Sequence, residues 1–173
     1  MVEFALILPM LLTLYFGSIE AGSLFTVDRR ITIISGTVGD LISQWDPSGG
    51  LLTQTTIDDY FEAAEVIMTP YDATGLAQVV SFVEVDSTGV TEVKWSKATG
   101  GGTARTVGAS YPLAASTQMN QIAQGGWLIV AETSYSYKPV LGLVFTDAVE
   151  LSHISYFLPR FAECIQVSGS ACP

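Results

Sequence analysis

The N-terminal residues 2–45 are the most informative part of the sequence for the fold. This part begins VEFALILPMLLTLYFGSIEAG (residues 2–22) and ends ITIISGTVGDLISQW (residues 31–45). No charged residue occurs from Phe4 to Ile19, and the apolar character continues to about Phe25. As a helix rising about 1.5 Å per residue, residues 4–25 are long enough to cross a hydrocarbon core of roughly 30 Å. We interpret this segment as a membrane-anchoring helix. The alternatives are a buried core helix and a cleaved signal peptide, whose expected basic start is missing from Met-Val-Glu.

The helical pattern continues beyond the apolar segment and becomes one-sided. Apolar residues recur at i, i+3 and i+4 spacing, which predicts an amphipathic helix; they are Ile31, Ile34, Val38, Leu41, Ile42 and Trp45. Pro47 and the two glycines that follow it end the helix. The sequence therefore predicts an N-terminal helix over residues 1–46, transmembrane in its first half, and a separate domain over residues 47–173.

The rest of the chain has the pattern of a mixed domain. Thr56 followed by Asp59 resembles an N-cap signal for a short helix that ends before Pro70. The segments QVVSFVEV and VTEVKWSK flank the turn sequence DSTG, and WLIVAETSYSY fits a central strand. Residues 143–158 fit either a helix or a strand, and residues 159–167 are a candidate last strand. We expect an α+β fold in which the long helix packs against a small antiparallel sheet.

Composition excludes some classes of function. The formal net charge is −10 with only seven basic residues, which are scattered, and a nucleic-acid backbone needs clustered Lys and Arg. The two cysteines, Cys164 and Cys172, are close enough in sequence to close a short disulfide loop in an oxidising compartment, the alternative being two free thiols. Two cysteines and one histidine do not suffice for a structural zinc site.

No motif for catalysis, metal or cofactor binding stands out. His153 is the only histidine and has no nucleophile motif beside it. The glycines of TGGGT (residues 99–103) are not followed by the Lys and Ser/Thr of a phosphate loop. The acidic residues between 58 and 65 have helical spacing and fit a solvated face better than a calcium site, and DSTG fits a turn. We therefore expect a protein that is not an enzyme, with no cofactor.

Four residues of the first helix are candidate functional residues. A carboxylate near hydrocarbon is costly, so Glu3 either lies among lipid headgroups or pairs with a positive group of a neighbouring subunit, such as its N-terminal amine. Glu20 is a second acid at the far edge of the membrane. Pro9 leaves the carbonyl of Ala5 without its backbone donor, and with Gly17 it marks a helix kink, unless it is simply a tolerated membrane proline.

The opening run resembles the start of TadE/TadG-type proteins of tight-adherence (Tad) pili, in which the pattern is E-F-A-L-x-L-P-x-L-L-L-L-x-F-G-x-x-E. The matching residues are Glu3, Phe4, Ala5, Leu6, Pro9, Gly17 and Glu20. Later blocks also resemble a subgroup of these proteins: TVDRR, DLISQ, IMTPYD, VKWS, AETSYSYKP and LPRF. The resemblance thus extends over nearly the whole chain.

The resemblance implies a minor pilin or pseudopilin, a structural subunit in assembly of a Tad-type type IV pilus. It implies an inner-membrane helix with a periplasmic domain, later incorporated in an extracellular pilus. The implied partners are other pilins, the Tad assembly machinery, membrane lipid and a prepilin peptidase if a leader lies upstream. Glu3 would help the subunit to dock beside its neighbour. The alternative function is a membrane-tethered periplasmic binding module or adhesin with no pilus role, whose ligand surface is the loop over residues 98–124.

Overall fold

The computed structural model describes residues 2–112, 121–139, 142, 146–161 and 163–168. The chain begins with helix α1 (Val2–Ser43), continues through a 3-10 turn (Pro47–Gly49) and helix α2 (Gln54–Glu65), and passes a second 3-10 turn (Val66–Met68). Four strands follow: β1 (Leu76–Val85), β2 (Thr91–Thr99), β3 (Gly126–Tyr137) and β4 (Val149–Phe157). This α+β architecture confirms the predicted fold class.

The strands form one antiparallel sheet in the order β2-β1-β3-β4. The predicted β1–β2 hairpin is confirmed: Val85 pairs with Thr91 across the DSTG turn, and Asp86 Oδ1 accepts hydrogen bonds from the backbone nitrogens of Thr88 and Val90 at 2.7 and 2.9 Å. The Thr88 hydroxyl also donates to Asp86 Oδ1, at 2.7 Å, and this bond together with the backbone bonds holds the pKa of Asp86 below its usual value. The predicted central strand is also confirmed, because β3 pairs with both β1 and β4.

Helix α1 packs its second half on the sheet, where it contacts β3 and β4. The buried residues of α1 recur every three or four positions along one face; the apolar ones are Val27, Ile31, Ile34, Val38 and Ile42. This confirms most of the predicted stripe, although Leu41 and Trp45 are only half-buried. Burying a side chain of this size stabilises the fold by about 1.5–3 kcal/mol, so this face fixes the helix to the domain.

Two local details differ from the sequence-based expectations, and one open alternative is decided. The N-cap of α2 is Thr53, whose side chain accepts from Thr56 N at 3.1 Å, so the helix begins one turn earlier than predicted from Thr56. The ambiguous segment 143–158 contains strand β4. The candidate last strand forms only an isolated parallel bridge between Val167 and Leu52. The boundary at residues 46/47 stays a prediction.

Gly39 lies where α1 comes closest to the sheet. A Cβ atom at this position would overlap the ring of Phe157 and come within 3.3 Å of Ala131 Cβ. We expect Gly39→Ala to destabilise the domain by about 1–3 kcal/mol because an overpacked contact forces side chains out of place. Thermal unfolding of the full chain in micelles measures this effect.

Gly36 provides the matched control, because no atom lies within 4 Å of a Cβ atom added there. Gly36→Ala should raise the free energy of unfolding by up to about 1 kcal/mol, since alanine favours the helix. Adding Phe157→Leu to Gly39→Ala should recover part of the lost stability. Equal effects of the two glycine substitutions would contradict a close approach at Gly39.

Candidate assembly helix and its junction with the domain

The first half of α1 extends away from the domain. Most of its described apolar side chains are exposed, from Phe4 at 67% to Ile19 at 42%, and Phe16 is half-buried. The helix is long and apolar enough to cross a membrane; the candidate span Leu6–Ser43 has a mean hydropathy of 1.4, and only 6% of its apolar window is buried. This exposure argues against a buried core helix and makes the segment a candidate membrane anchor.

The length of this free segment fits a bilayer. Glu20 is the first buried residue of α1 among those described, so the largely exposed part of the helix ends at Ile19; the end of the membrane span near Phe25 stays a prediction. Residues 2–19 extend about 27 Å at 1.5 Å per residue, close to the roughly 30 Å hydrocarbon core. Phe25 is 72% exposed, but it lies beside the domain.

Glu3 and Pro9 lie in this segment. Glu3 is in the first turn of α1, but its side chain is outside the described part of the structure, so its pairing role stays a prediction. The helix is continuous through Pro9, and Thr13 Oγ1 donates to the Pro9 carbonyl oxygen at 2.9 Å. A threonine that bonds back one turn in this way often bends a helix. The kink between Pro9 and Gly17 nevertheless stays a prediction.

Glu20 lies at the junction between the free segment and the domain. It is only 2% exposed, so it is a buried acid; its position at the membrane edge stays a prediction. Tyr137, at the end of β3, lies nearby: burial raises the pKa of its phenol, and the negative charges of Tyr71 and Glu20 raise it further. The acid therefore belongs to the contact that joins the helix to the sheet.

Arg30 forms a second contact at this junction. Its Nη1 atom donates to the carbonyl oxygens of Ile67 and, at 2.6 Å, Thr69, and its guanidinium lies 5.5 Å from the centre of the Tyr71 ring. Arg29, the preceding residue, is exposed, whereas Arg30 is half-buried. The spacing of the buried residues in α1 could have identified Arg30, because this residue precedes the buried Ile31 and lies on the face that packs against the domain.

The motifs considered for chemistry have structural roles in the described residues. Gly100 has φ +62°, and a Cβ atom there would overlap the carbonyl of Leu76, so this glycine permits a close backbone approach. His153 is half-buried on β4 opposite Thr133. Asp58 is exposed and accepts a hydrogen bond from Gln54 at 2.7 Å. Among the described residues, no group of three or more potential ligands is placed to hold a metal ion.

Of the two predicted disulfide partners, the structure describes only Cys164. Cys164 is half-buried, and the part of the chain that the structure describes contains no free cysteine. Cys172 lies outside the described residues. The bridge between Cys164 and Cys172 therefore stays a prediction.

The fold and the exposed helix define a protein whose α+β domain is carried on a candidate membrane anchor. The family model described as "TadE-like protein" matches residues 1–32, which is consistent with the TadE/TadG-like resemblance and suggests involvement in the Tad pilus system. This family is a structural, pilus-associated one. The match extends from the free segment into the domain-packed part of α1. No curated protein and no solved structure matches the chain.

Proposed function

We propose that this protein is a structural subunit, a minor pilin or pseudopilin, in the assembly of a Tad-type type IV pilus. The observation that carries the proposal is one continuous helix whose first half is apolar and exposed and whose second half is fixed to a folded domain. The match of the TadE-like model to this helix supports the same function. An exposed apolar helix of this length has two stable environments, a bilayer and a bundle of similar helices.

The proposed mechanism is assembly by lateral helix packing. In the membrane, the free segment is surrounded by lipid, with the domain in the periplasm; in the assembly, neighbouring helices replace the lipid. Glu3 would set the register by pairing with a positive group of the adjacent subunit, because a carboxylate that leaves the headgroup region needs a partner. The junction at Glu20 and Arg30 would keep the domain in a fixed orientation to the helix during this transfer.

Incorporation of the subunit tests the proposal. The full chain, with any leader that is encoded upstream of it and an affinity tag at its C-terminus, is produced in cells that assemble the pilus. We expect the tagged subunit to be recovered with pilins or Tad assembly proteins after mild crosslinking, and its N-terminus to show cleavage by a prepilin peptidase. A monomer that never copurifies with these proteins would refute the proposal and favour the tethered binding module.

The tethered binding module gains little support from its proposed ligand loop. Residues 103–110 are exposed, but part of this loop is held against the sheet: Val93 N donates to the carbonyl of Ala109 at 2.9 Å, and Gly108 N donates to the carbonyl of Val93 at 2.8 Å. Tyr111 is buried, and its carbonyl accepts from Thr91 Oγ1 at 2.7 Å. These contacts make this part of the loop a cover for the sheet.

A further inference from the structure

A row of three aromatic rings ends at an open cavity at the end of the domain farthest from the free helix segment. Phe82 stacks on Trp95 with ring centres 5.7 Å apart and planes at 14°, and on Trp127 at 5.1 Å and 5°. Trp95 and Phe82 are buried, whereas Trp127 is only half-buried. The inner rings therefore hold Trp127 in a fixed orientation at the edge of the core.

The cavity at Trp127 has a volume of about 410 Å³, within the range in which proteins bind small molecules. Its other side is formed by residues 158–161 and by Glu163. This segment is tied to the end of α1, because Arg160 N donates to the carbonyl of Ser43 at 2.9 Å and the Arg160 guanidinium pairs with Asp40. Leu158 and Phe161 nevertheless stay exposed, at 45% and 65%. The walls are thus fixed, and large apolar side chains face solvent.

Polar groups lie among these apolar surfaces. Glu163 lines the cavity beside Arg160, whose charge is balanced by Asp40. Among the described residues, none accepts a hydrogen bond from the indole nitrogen of Trp127. The site therefore combines aromatic and aliphatic surface with a carboxylate acceptor and with guanidinium and indole donors.

This combination of apolar surface and hydrogen-bonding groups favours one class of ligand. A pyranose ring has an apolar face of C–H groups that packs on an aromatic ring, and an edge of hydroxyls that bonds to carboxylates, guanidinium groups and indole N–H groups. A wholly apolar ligand would leave the polar groups unpaired, at a cost in binding free energy. An anionic ligand would be disfavoured by the net charge of −10 and by Glu163 in the cavity.

We propose that the cavity between Trp127 and Phe161 binds a neutral sugar residue, such as a terminal hexose of a surface glycan. Because α1 carries the opposite end of the domain toward the membrane, the cavity faces away from the membrane, where a glycan can reach it. This binding activity is separate from the proposed assembly function. A subunit can assemble without it, and the purified protein can show it without assembling.

The test uses the full chain in zwitterionic micelles, since a detergent with a sugar headgroup would compete for the site. The protein is titrated with the methyl glycosides of glucose, galactose, mannose and N-acetylglucosamine, and tryptophan fluorescence and saturation-transfer NMR are recorded. We expect saturable binding of at least one neutral glycoside, with transfer to ring C–H protons. Glycerol, which has no ring face, and the anionic methyl glycoside of sialic acid should show none.

Variants assign the binding to this cavity. Phe161→Ser should weaken binding by about tenfold, the effect of losing one aromatic contact, and Glu163→Gln should weaken it severalfold. Val107→Ser is the matched control, because Val107 is 64% exposed but lies outside the cavity; binding should not change. The proposal is overturned if no neutral glycoside binds saturably, or if Phe161→Ser and Val107→Ser behave alike. It is also overturned if Phe161→Ser abolishes self-association, which would show that a second copy covers the site.

Discussion

Replacing Glu3 by leucine should reduce recovery of the subunit in the assembled pilus by about tenfold or more while the domain stays folded. A charge-assisted hydrogen bond is worth about 1.5–3 kcal/mol, and about 1.4 kcal/mol corresponds to a factor of ten. The leucine side chain would also make the bilayer a better environment for the helix, because it removes a carboxylate from its membrane-embedded end. Both effects favour the subunit that remains in the membrane over the subunit that is incorporated in the assembly.

The measurement compares the fraction of tagged subunit in sheared pili with the fraction in the membrane. Circular dichroism and thermal unfolding of the purified variant confirm that the domain is folded. Glu62→Leu is the matched control: it removes the same charge from an exposed position of α2, and incorporation should be unaffected. Glu3→Asp keeps the charge and should retain part of the incorporation. Normal piliation by Glu3→Leu would refute the register role of Glu3, although the subunit could still be a pilin.

Replacing Ile34 by alanine should lower the free energy of unfolding of the domain by about 2–5 kcal/mol. Ile34 is fully buried in the core between α1 and the sheet, and truncation of a buried isoleucine removes apolar contact and leaves a cavity. For a domain of this size, each kcal/mol shifts the midpoint of thermal unfolding by about 2–4 °C. We therefore expect the midpoint to fall by roughly 4–20 °C.

Ile33 provides the control for this substitution because it is the adjacent residue and is 45% exposed. Ile33→Ala should change the free energy of unfolding by no more than about 0.5 kcal/mol, as exposed substitutions usually do. Tryptophan fluorescence of the full chain in micelles reports the unfolding of the domain in both variants. Equal destabilisation by the two substitutions would mean that α1 does not pack on the sheet through this face.

The stability and incorporation experiments separate the two halves of α1. Ile34→Ala acts on the half that is fixed to the domain, and Glu3→Leu acts on the half that is free of it. If the helix joins a membrane anchor to a domain, stability and incorporation respond independently to these changes. Glu20 lies where the halves meet, so its substitution should affect both properties.

The sequence predicted the elements that depend on local pattern. Uninterrupted apolar residues indicated the free half of α1, and the spacing of Ile31, Ile34 and Val38 indicated the packed half. The alternation in residues 127–137 and the turn at Asp86 predicted β3 and the hairpin. Residues 143–158 remained ambiguous because the strand β4 exists through pairing with β3, such as Ile154 with Glu132. That pairing is not visible in a local sequence pattern.

The residue pattern alone was therefore enough to predict a long helix followed by an antiparallel sheet. The helix is apolar on all faces in its first half and on one face in its second half. These properties follow from residue spacing, which sets the side chains that can be buried together. Three features became visible only in the tertiary structure. Glu20 is buried, Arg30 binds the backbone at Ile67 and Thr69, and Trp127 ends a row of rings at an open cavity. Each of these depends on contacts between residues that are distant in the chain, and the packing of helix on sheet brings them together.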